Sequence, residues 1–179
     1  LKAQEKNLLD YSNPQSYEIG GIMINGAENL NNNTLISIAN LTIGEKIKIP
    51  GDKITFAIRK LWEQGLFSDV SIEVEKIVEN TVFWSTNLNE YPRLSKFKFT
   101  GKKIRKSDIT ALKEDLKLMR GKVLTENLIN NSVENIKKYY INKGFYNVKI
   151  EHLTSTDTTT RNSKNLIFNI TKGEKVKIK

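Results

Sequence analysis

The feature that most constrains this fold is an internal repeat: a short strand, two helices and two further strands occur twice in the same order. Each copy opens with alternating apolar and polar residues that end in glycine, over residues 22–26 and 97–101. Three pairs of glycines mark corresponding breaks in the two copies: Gly26 and Gly101, Gly44 and Gly121, and Gly65 and Gly144. Their separations of 75, 77 and 79 residues grow slowly, as expected for two copies of one domain with short insertions. Tandem arrays are typical of scaffolds and binding modules.

This pattern divides the 179-residue chain into four parts. Residues 1–16 are polar and are interpreted as a flexible leader, and residues 17–92 form the first domain. Residues 93–175 form the second domain, and residues 176–179 look like the start of a third repeat. Each domain has the order β-α-α-β-β. Two amphipathic helices must bury their apolar stripes against a sheet, so we predict an α+β fold with two helices on one face of a three-stranded sheet in each domain.

Local sequence signals predict where the helices begin and end. In the first copy, Asn33 or Thr34 is expected to cap the first helix and Asp52 the second. The corresponding caps in the second copy are expected at Ser107 and Thr125. Gly44 and Gly121 are expected to end the first helix of each copy. Gly65 and Gly144 are expected to have positive φ angles at the ends of the second helices.

The charge of the chain is distributed unevenly between the two domains. Residues 1–93 carry 9 Lys and Arg against 12 Asp and Glu, a net charge of −3. Residues 94–179 carry 20 against 8, a net charge of +12. Such an excess suits nucleic acid, an anionic membrane surface or an acidic partner. It also suits a lysine-rich solvated surface without a partner.

Few residues of this chain suit catalysis or metal binding. Cysteine is absent, which excludes disulfides, thiolate metal sites and cysteine nucleophiles. His152 is the only histidine, and it is interpreted as an ordinary strand residue. We therefore predict neither an enzyme nor a cofactor or metal site. The large aromatic residues are expected to lie mainly in the core or at the domain junction: Trp62, Phe67, Trp84, Tyr139 and Tyr146.

At this point the residues resemble a known family. The helix ends over residues 61–70 and 139–148, together with the segments 49–52 and 120–125 that lead into the second helices, are similar to polypeptide-transport-associated (POTRA) domains. The resemblance covers residues 17–175 and is greatest to the periplasmic arm of the BamA family of outer-membrane assembly factors. A composition rich in Lys, Asn and Ile and poor in Arg favours a Bacteroidetes-type source.

The resemblance implies a periplasmic scaffold at the outer membrane. Its implied partners are unfolded outer-membrane proteins, accessory lipoproteins of an assembly complex, and a C-terminal β-barrel of the same protein that this chain does not contain. The same fold would also suit the receptor arm of a two-partner secretion or import transporter. No nucleic acid is expected as a partner.

The physical mechanism that we predict is β-augmentation, in which an extended client adds a strand to a sheet edge. The second strand of each domain is the favoured edge. Its predicted binding residues are Val70, Ser71, Ile72, Glu73, Val74 and Glu75 in the first domain, and Val148, Lys149, Ile150, Glu151, His152 and Leu153 in the second.

The alternative from another class is a basic RNA-binding module. The β-α-α-β order resembles a KH domain, but that domain needs a Gly-x-x-Gly loop between its helices. The segments 42–52 and 119–125 contain no such loop. Phe97 and Phe99 beside Lys96 and Lys98 are more typical of a half-buried strand than of a base-stacking surface.

Overall fold

The structure is a computed structural model that describes residues 13–28 and 30–175, and these residues form two compact units. The first unit ends at Glu90 and the second begins at Tyr91. The first strand begins at Gln15, so regular structure starts within the predicted leader. Residues 1–12 of that leader and the predicted third repeat at 176–179 lie outside the described residues.

The first unit contains a four-stranded sheet. Its elements are β1 (Gln15–Asn25), α1 (Asn32–Ile38), β2 (Lys46–Ile49), α2 (Asp52–Trp62), β3 (Phe67–Val78) and β4 (Thr81–Glu90). The strand order is β2-β1-β4-β3, and β1 is parallel to β4. This sheet has one strand more than predicted. The added strand, β2, alternates lysine with isoleucine, and both isoleucines are buried because the segment pairs antiparallel with the start of β1.

The second unit has the predicted three-stranded sheet. Its elements are β5 (Arg93–Thr100), α3 (Lys106–Leu116), α4 (Glu126–Asn142), β6 (Lys149–Thr156) and β7 (Ser163–Thr171). The strand order is β5-β7-β6, with β5 parallel to β7. A single bridge from Arg93 to Val123 is the counterpart of β2 in the first unit.

Each unit has its own core between the helices and one face of the sheet. In the first, Leu61 of α2 is fully buried with Ile19 and Val82 of the sheet. In the second, Ile136 and Tyr140 of α4 are fully buried with β7 residues. Of the aromatic residues expected inside, Phe67 and Trp84 are buried, but Trp62 and Tyr146 are each 52% exposed. Trp62 is the last residue of α2, and Tyr146 lies four residues after the end of α4.

The paired glycines Gly44 and Gly121 do not end the helices, contrary to the prediction. The helices end earlier, at Ile38 and Leu116, and the left-handed residues that follow them are Asn40 and Lys117. The two glycines instead lie in the loop after the first helix of each unit, and they connect this loop to the first strand by a hydrogen bond. The Gly44 N–H donates to Ile19 O at 2.8 Å, and the Gly121 N–H donates to Leu94 O at 2.7 Å.

Three of the four predicted helix caps lie elsewhere. Asn31 caps α1 by accepting from the Thr34 N–H, and Gly51 precedes α2, so Asp52 is the first helical residue. Helix α3 begins after Arg105, before Ser107, because the Asp108 carboxylate accepts the Arg105 N–H. Thr125 caps α4 as predicted, and its hydroxyl accepts the Leu128 N–H at 3.1 Å.

The turn between β6 and β7 spans residues 157–162. Strand β6 continues to Thr156, whose partner is Lys164, because threonine is compatible with a strand. Asp157 begins the turn and accepts hydrogen bonds from Ser95 and Thr159. The bond from Ser95, followed by those from Thr159, lowers the pKa of Asp157 to about 2.

Gly65 and Gly144 have the predicted positive φ angles, 65° and 88°. At Gly144 the N–H donates to Ile141 O and the next N–H donates to Tyr140 O, which closes the end of α4. We expect Gly65→Val and Gly144→Val each to lower the free energy of unfolding by about 1 kcal/mol or more. Gly144→Asn should cost less, because asparagine tolerates this conformation. Thermal melts of the valine variants that coincide with the parent would contradict the prediction.

Candidate functional site

The two candidate strands lie at sheet edges. Strand β3 ends the first sheet beside β4, and β6 ends the second sheet beside β7. Within the described residues, each pairs on one side only. The other side of each strand therefore presents main-chain N–H and C=O groups that a further strand can pair with.

Strand β6 is the more accessible of the two. It forms eight consecutive pairs with β7 without a bulge, from Lys149 to Thr156. Ile150 packs against the core, whereas residues 151–156 are exposed whichever face they lie on. His152 and Thr154 share the core-facing side with Ile150, because side chains alternate along a strand. The helices therefore cover only the start of β6. Its later residues are exposed on both faces of the sheet and along the free edge.

Strand β3 is longer but less regular. Its pairing with β4 is interrupted twice, between Phe67 and Asp69 and between Val74 and Lys76. Glu75 lies at the second interruption, and bulges of this kind bend a strand and protect an edge. Val70 is buried in the core, Ser71, Ile72 and Val74 are partly buried, and Glu73 and Glu75 are exposed. The first edge is therefore acidic and kinked.

One predicted site residue does not lie on an edge strand. Val148 precedes β6, which begins at Lys149, and it is buried in the core. The helix-closing turn at Gly144 is followed by a further turn, in which the Val148 N–H donates to Phe145 O. The strand consequently starts at Lys149, one residue after the first predicted site residue.

The opposite edges of both sheets are partly covered. Strand β2 pairs with Gln15–Glu18 of β1 only, and the second unit has the single bridge from Arg93 to Val123. The later residues of β1 and β5 have no further strand on that side within the described part of the chain. Sequence reasoning did not single out these two shorter edges.

A buried ion cluster in the second unit was also missed. Its centre is Asp108 of α3, which is 3% exposed. Lys143 Nζ donates to Asp108 Oδ1 at 2.7 Å, and Lys172 Nζ donates to Oδ2 at 3.2 Å. The Tyr139 hydroxyl also donates to Oδ1, at 3.1 Å. The signal available in the sequence was an acidic residue in the first turn of a helix, but its partners lie 31 to 64 residues away in sequence.

The cluster changes the acidity of its members. Burial by itself would raise the pKa of Asp108, but the hydrogen bonds from Lys143, Lys172, Tyr139 and the Arg105 N–H outweigh it and hold that pKa well below its usual range. The bond to Asp108 raises the pKa of Lys143. The arrangement is a satisfied structural ion pair, since every oxygen of the carboxylate has a donor.

Neither a metal site nor a membrane-spanning helix is found in the part of the chain that the structure describes. Within residues 13–28 and 30–175, no three His, Asp or Glu side chains are grouped so that they could hold a metal ion. None of the helices in these ranges has the length and apolarity needed to cross a bilayer.

Comparison with known proteins identifies the fold of both units. Residues 92–173 match the POTRA family model, described as a surface antigen variable number repeat. The N-terminal domain of Omp85 from the thermophilic cyanobacterium Thermosynechococcus elongatus superposes on 87% of this chain and 63% of its own, with a TM-score of 0.55 and 13% identity. This chain has the fold of two POTRA domains in tandem. The predicted fold class is thereby confirmed.

A curated relative matches more than half of this chain. The chain is 29% identical over 123 residues to the outer membrane protein assembly factor BamA of Nitratidesulfovibrio vulgaris. The match covers 68% of this chain and 15% of that relative, so the chain spans a small part of the relative's length.

Proposed function

We propose that the two POTRA domains form a periplasmic, non-enzymatic scaffold of an outer-membrane protein assembly machine. In this role they bind unfolded outer-membrane proteins as extended strands at their sheet edges. The observation that carries the proposal is β6, a regular strand at the end of a sheet, with one free edge and residues 151–156 exposed. The accessory lipoproteins and the membrane barrel implied by the resemblance belong to the same proposal.

Main-chain pairing suits such a scaffold. Hydrogen bonds to N–H and C=O groups are independent of the client's side chains, so many different clients can bind the same edge. A strand added to an edge without a deep pocket should bind weakly, roughly in the micromolar to millimolar range. Weak binding permits release of the client after assembly.

We propose β6 as the stronger edge and β3 as the weaker one. Strand β6 has no bulge and carries both Lys149 and Glu151, whereas β3 is interrupted twice and exposes Glu73 and Glu75. The second domain also has the basic excess, so added salt should weaken its client binding more than that of the first domain.

A proline pair in β6 tests this proposal. Successive N–H groups of a strand point to opposite sides, so one of Glu151 and His152 donates toward β7 and the other toward the free edge. Amide hydrogen exchange on the full chain identifies which. Proline at the outward-facing position should leave the melting temperature nearly unchanged and weaken binding of an outer-membrane β-strand peptide at least about fivefold, through the lost donor and the added ring. Proline at the other position serves as the ladder-breaking comparison, because it removes a β6–β7 hydrogen bond.

Peptide titration of the isotope-labelled chain gives the direct measurement. Chemical-shift changes should concentrate on residues 149–156, with smaller changes on 70–78. Changes confined to the helical faces, with both strands unaffected, would show that clients bind a helix groove. Salt-sensitive binding of RNA without any binding of the peptide would favour the RNA-binding alternative.

A further inference from the structure

A basic cleft lies at one end of the second domain. Its walls are the loop between β5 and α3, the end of α4 and the end of β7, and it encloses about 1130 Å³. Six cationic side chains line it: Lys102, Lys103, Arg105, Lys143, Lys172 and Lys175. The only carboxylate among its lining residues is Asp108.

Most of this positive charge is not neutralised. Asp108 is fully occupied by its buried bonds to Lys143 and Lys172. The other four cations are exposed, and within the described residues none of them has an ion-pair partner. Three of them, Lys102, Lys103 and Arg105, lie within four consecutive residues. The ion cluster around Asp108 therefore joins the walls of the cleft. The four exposed cations remain at its rim, available to an anionic ligand.

Such a cleft favours a compact anion. Concave walls of one charge concentrate the local field, and the planar guanidinium of Arg105 matches two oxygens of a phosphate. Lys172 donates to Lys103 O at 2.8 Å, so the basic loop is tied to the end of β7 before any ligand arrives. A bound phosphate would supply the negative counter-charge that these rim cations lack.

An exposed aromatic residue, Tyr146, is the sequence neighbour of a residue that contacts the cleft. Tyr146 is 52% exposed and precedes Asn147, whose backbone packs against the cleft residue Gly173 so closely that a side chain there would meet Asn147 O at 3.2 Å. An amphipathic tyrosine next to a basic patch is typical of surfaces that meet lipid headgroups. A free phosphate would make no use of this ring.

We propose that the cleft binds the phosphate of an anionic phospholipid headgroup, with Tyr146 contacting the interfacial layer. The placement of this surface at a membrane rests on the proposed function, whereas the binding of phosphate rests on the cleft alone. Lipid binding would hold the second domain against the membrane surface and leave β6, which contributes no residue to the cleft, free for a client.

Vesicle co-sedimentation of the full chain tests the proposal. The chain should bind vesicles of phosphatidylcholine with phosphatidylglycerol, and not vesicles of phosphatidylcholine alone. One cation near an anionic surface contributes about 1 kcal/mol, roughly fivefold in affinity. The combined variant Lys102→Gln, Lys103→Gln, Arg105→Gln should therefore bind at least tenfold more weakly.

A variant with the same loss of charge provides the control. Lys113, Lys137 and Lys138 are exposed on α3 and α4, and they do not line the cleft. Changing these three to glutamine should weaken vesicle binding about threefold at most, as a general effect of net charge. Equal losses in both triple variants would overturn the cleft as the site. Tyr146→Ser should weaken vesicle binding but leave a titration with inorganic phosphate unchanged.

Other outcomes separate the possible ligands. If inorganic phosphate shifts the resonances of Lys102, Lys103 and Arg105 but the chain does not bind vesicles, the ligand is a free phosphate and the lipid proposal is wrong. If a hexaglutamate peptide binds this cleft but vesicles do not, the ligand is an acidic protein segment and the lipid proposal is wrong. Vesicle binding lost in the cleft variant, while the β-strand peptide still shifts β6, separates this proposal from the client-binding one. Vesicle binding without any peptide binding would sustain the cleft and refute the proposed edge.

Discussion

Replacing Gly26 or Gly101 with alanine should destabilise the corresponding domain by about 3 kcal/mol or more, since both a strained backbone and an overlap with fixed main chain contribute. The two glycines end the first strand of each domain with φ angles of 81° and 146°. A Cβ at Gly26 would overlap the carbonyl oxygen of Leu88, and one at Gly101 would overlap that of Ile170. Both oxygens belong to the last strand of the domain, so neither can move without disturbing the central pairing of the sheet.

Gly44→Ala and Gly121→Ala are the matched controls. These glycines also have positive φ angles, 86° and 85°, but within the described residues no atom outside the two neighbouring residues lies within 4 Å of an added Cβ. Their substitution should cost only about 1 kcal/mol, the usual effect of an unfavourable φ angle. Denaturant unfolding of the full chain checks this, with Trp fluorescence for the first domain, which holds both tryptophans. Amide resonances of β7 serve for the second. Equal losses at all four positions would remove the steric explanation.

The sequence predicted the repeat and the fold class because glycine positions and apolar periodicity are local properties. A left-handed turn or a close approach of main chain admits little besides glycine, so the same breaks persist in both copies. Helix stripes and alternating strands then indicate which faces are buried. The matched contacts of Gly44 with Ile19 and of Gly121 with Leu94 show that the two copies share more than their order of elements.

The errors arose where tertiary contacts decide the local structure. In the segment Lys46–Ile49, lysine alternates with isoleucine. So short a segment forms a strand only because it can pair with the open edge of β1. Helix α3 begins earlier than Ser107 indicates because Asp108, a buried residue with distant partners, fixes its first turn. The start of β6 at Lys149 rather than Val148 likewise depends on the turn that buries Val148.

The candidate edges could be predicted only in outline. The order of elements indicates that β3 pairs with β4 and that β6 pairs with β7. It does not indicate what lies on the other side of β3 or β6. The difference between a kinked β3 and a regular β6 with residues 151–156 exposed depends on bulges and on the reach of the helices. Neither is encoded in a local pattern.

Acid should selectively weaken the second POTRA domain through Asp108. The pKa of this carboxyl is held well below its usual range in the folded domain, whereas in the unfolded chain it should be near 3.9. The unfolded chain therefore takes up a proton first as the pH falls. The stabilisation is fully present above about pH 5 and is lost progressively below about pH 4, toward the lower pKa of the folded state.

Asp108→Asn should lower the free energy of unfolding of that domain by about 3 kcal/mol at neutral pH, because it leaves Lys172, whose side chain is 10% exposed, without its buried counter-charge. Asp115→Asn, on the same helix and exposed, is the control and should remain close to the parent. As the pH falls through 4, the gap between Asp108→Asn and the parent should narrow, because the parent loses the same interaction. Denaturant unfolding followed by amide resonances of α3 and β7 at several pH values measures both quantities. A gap that stays constant with pH would mean that the Asp108 charge is not what stabilises the domain.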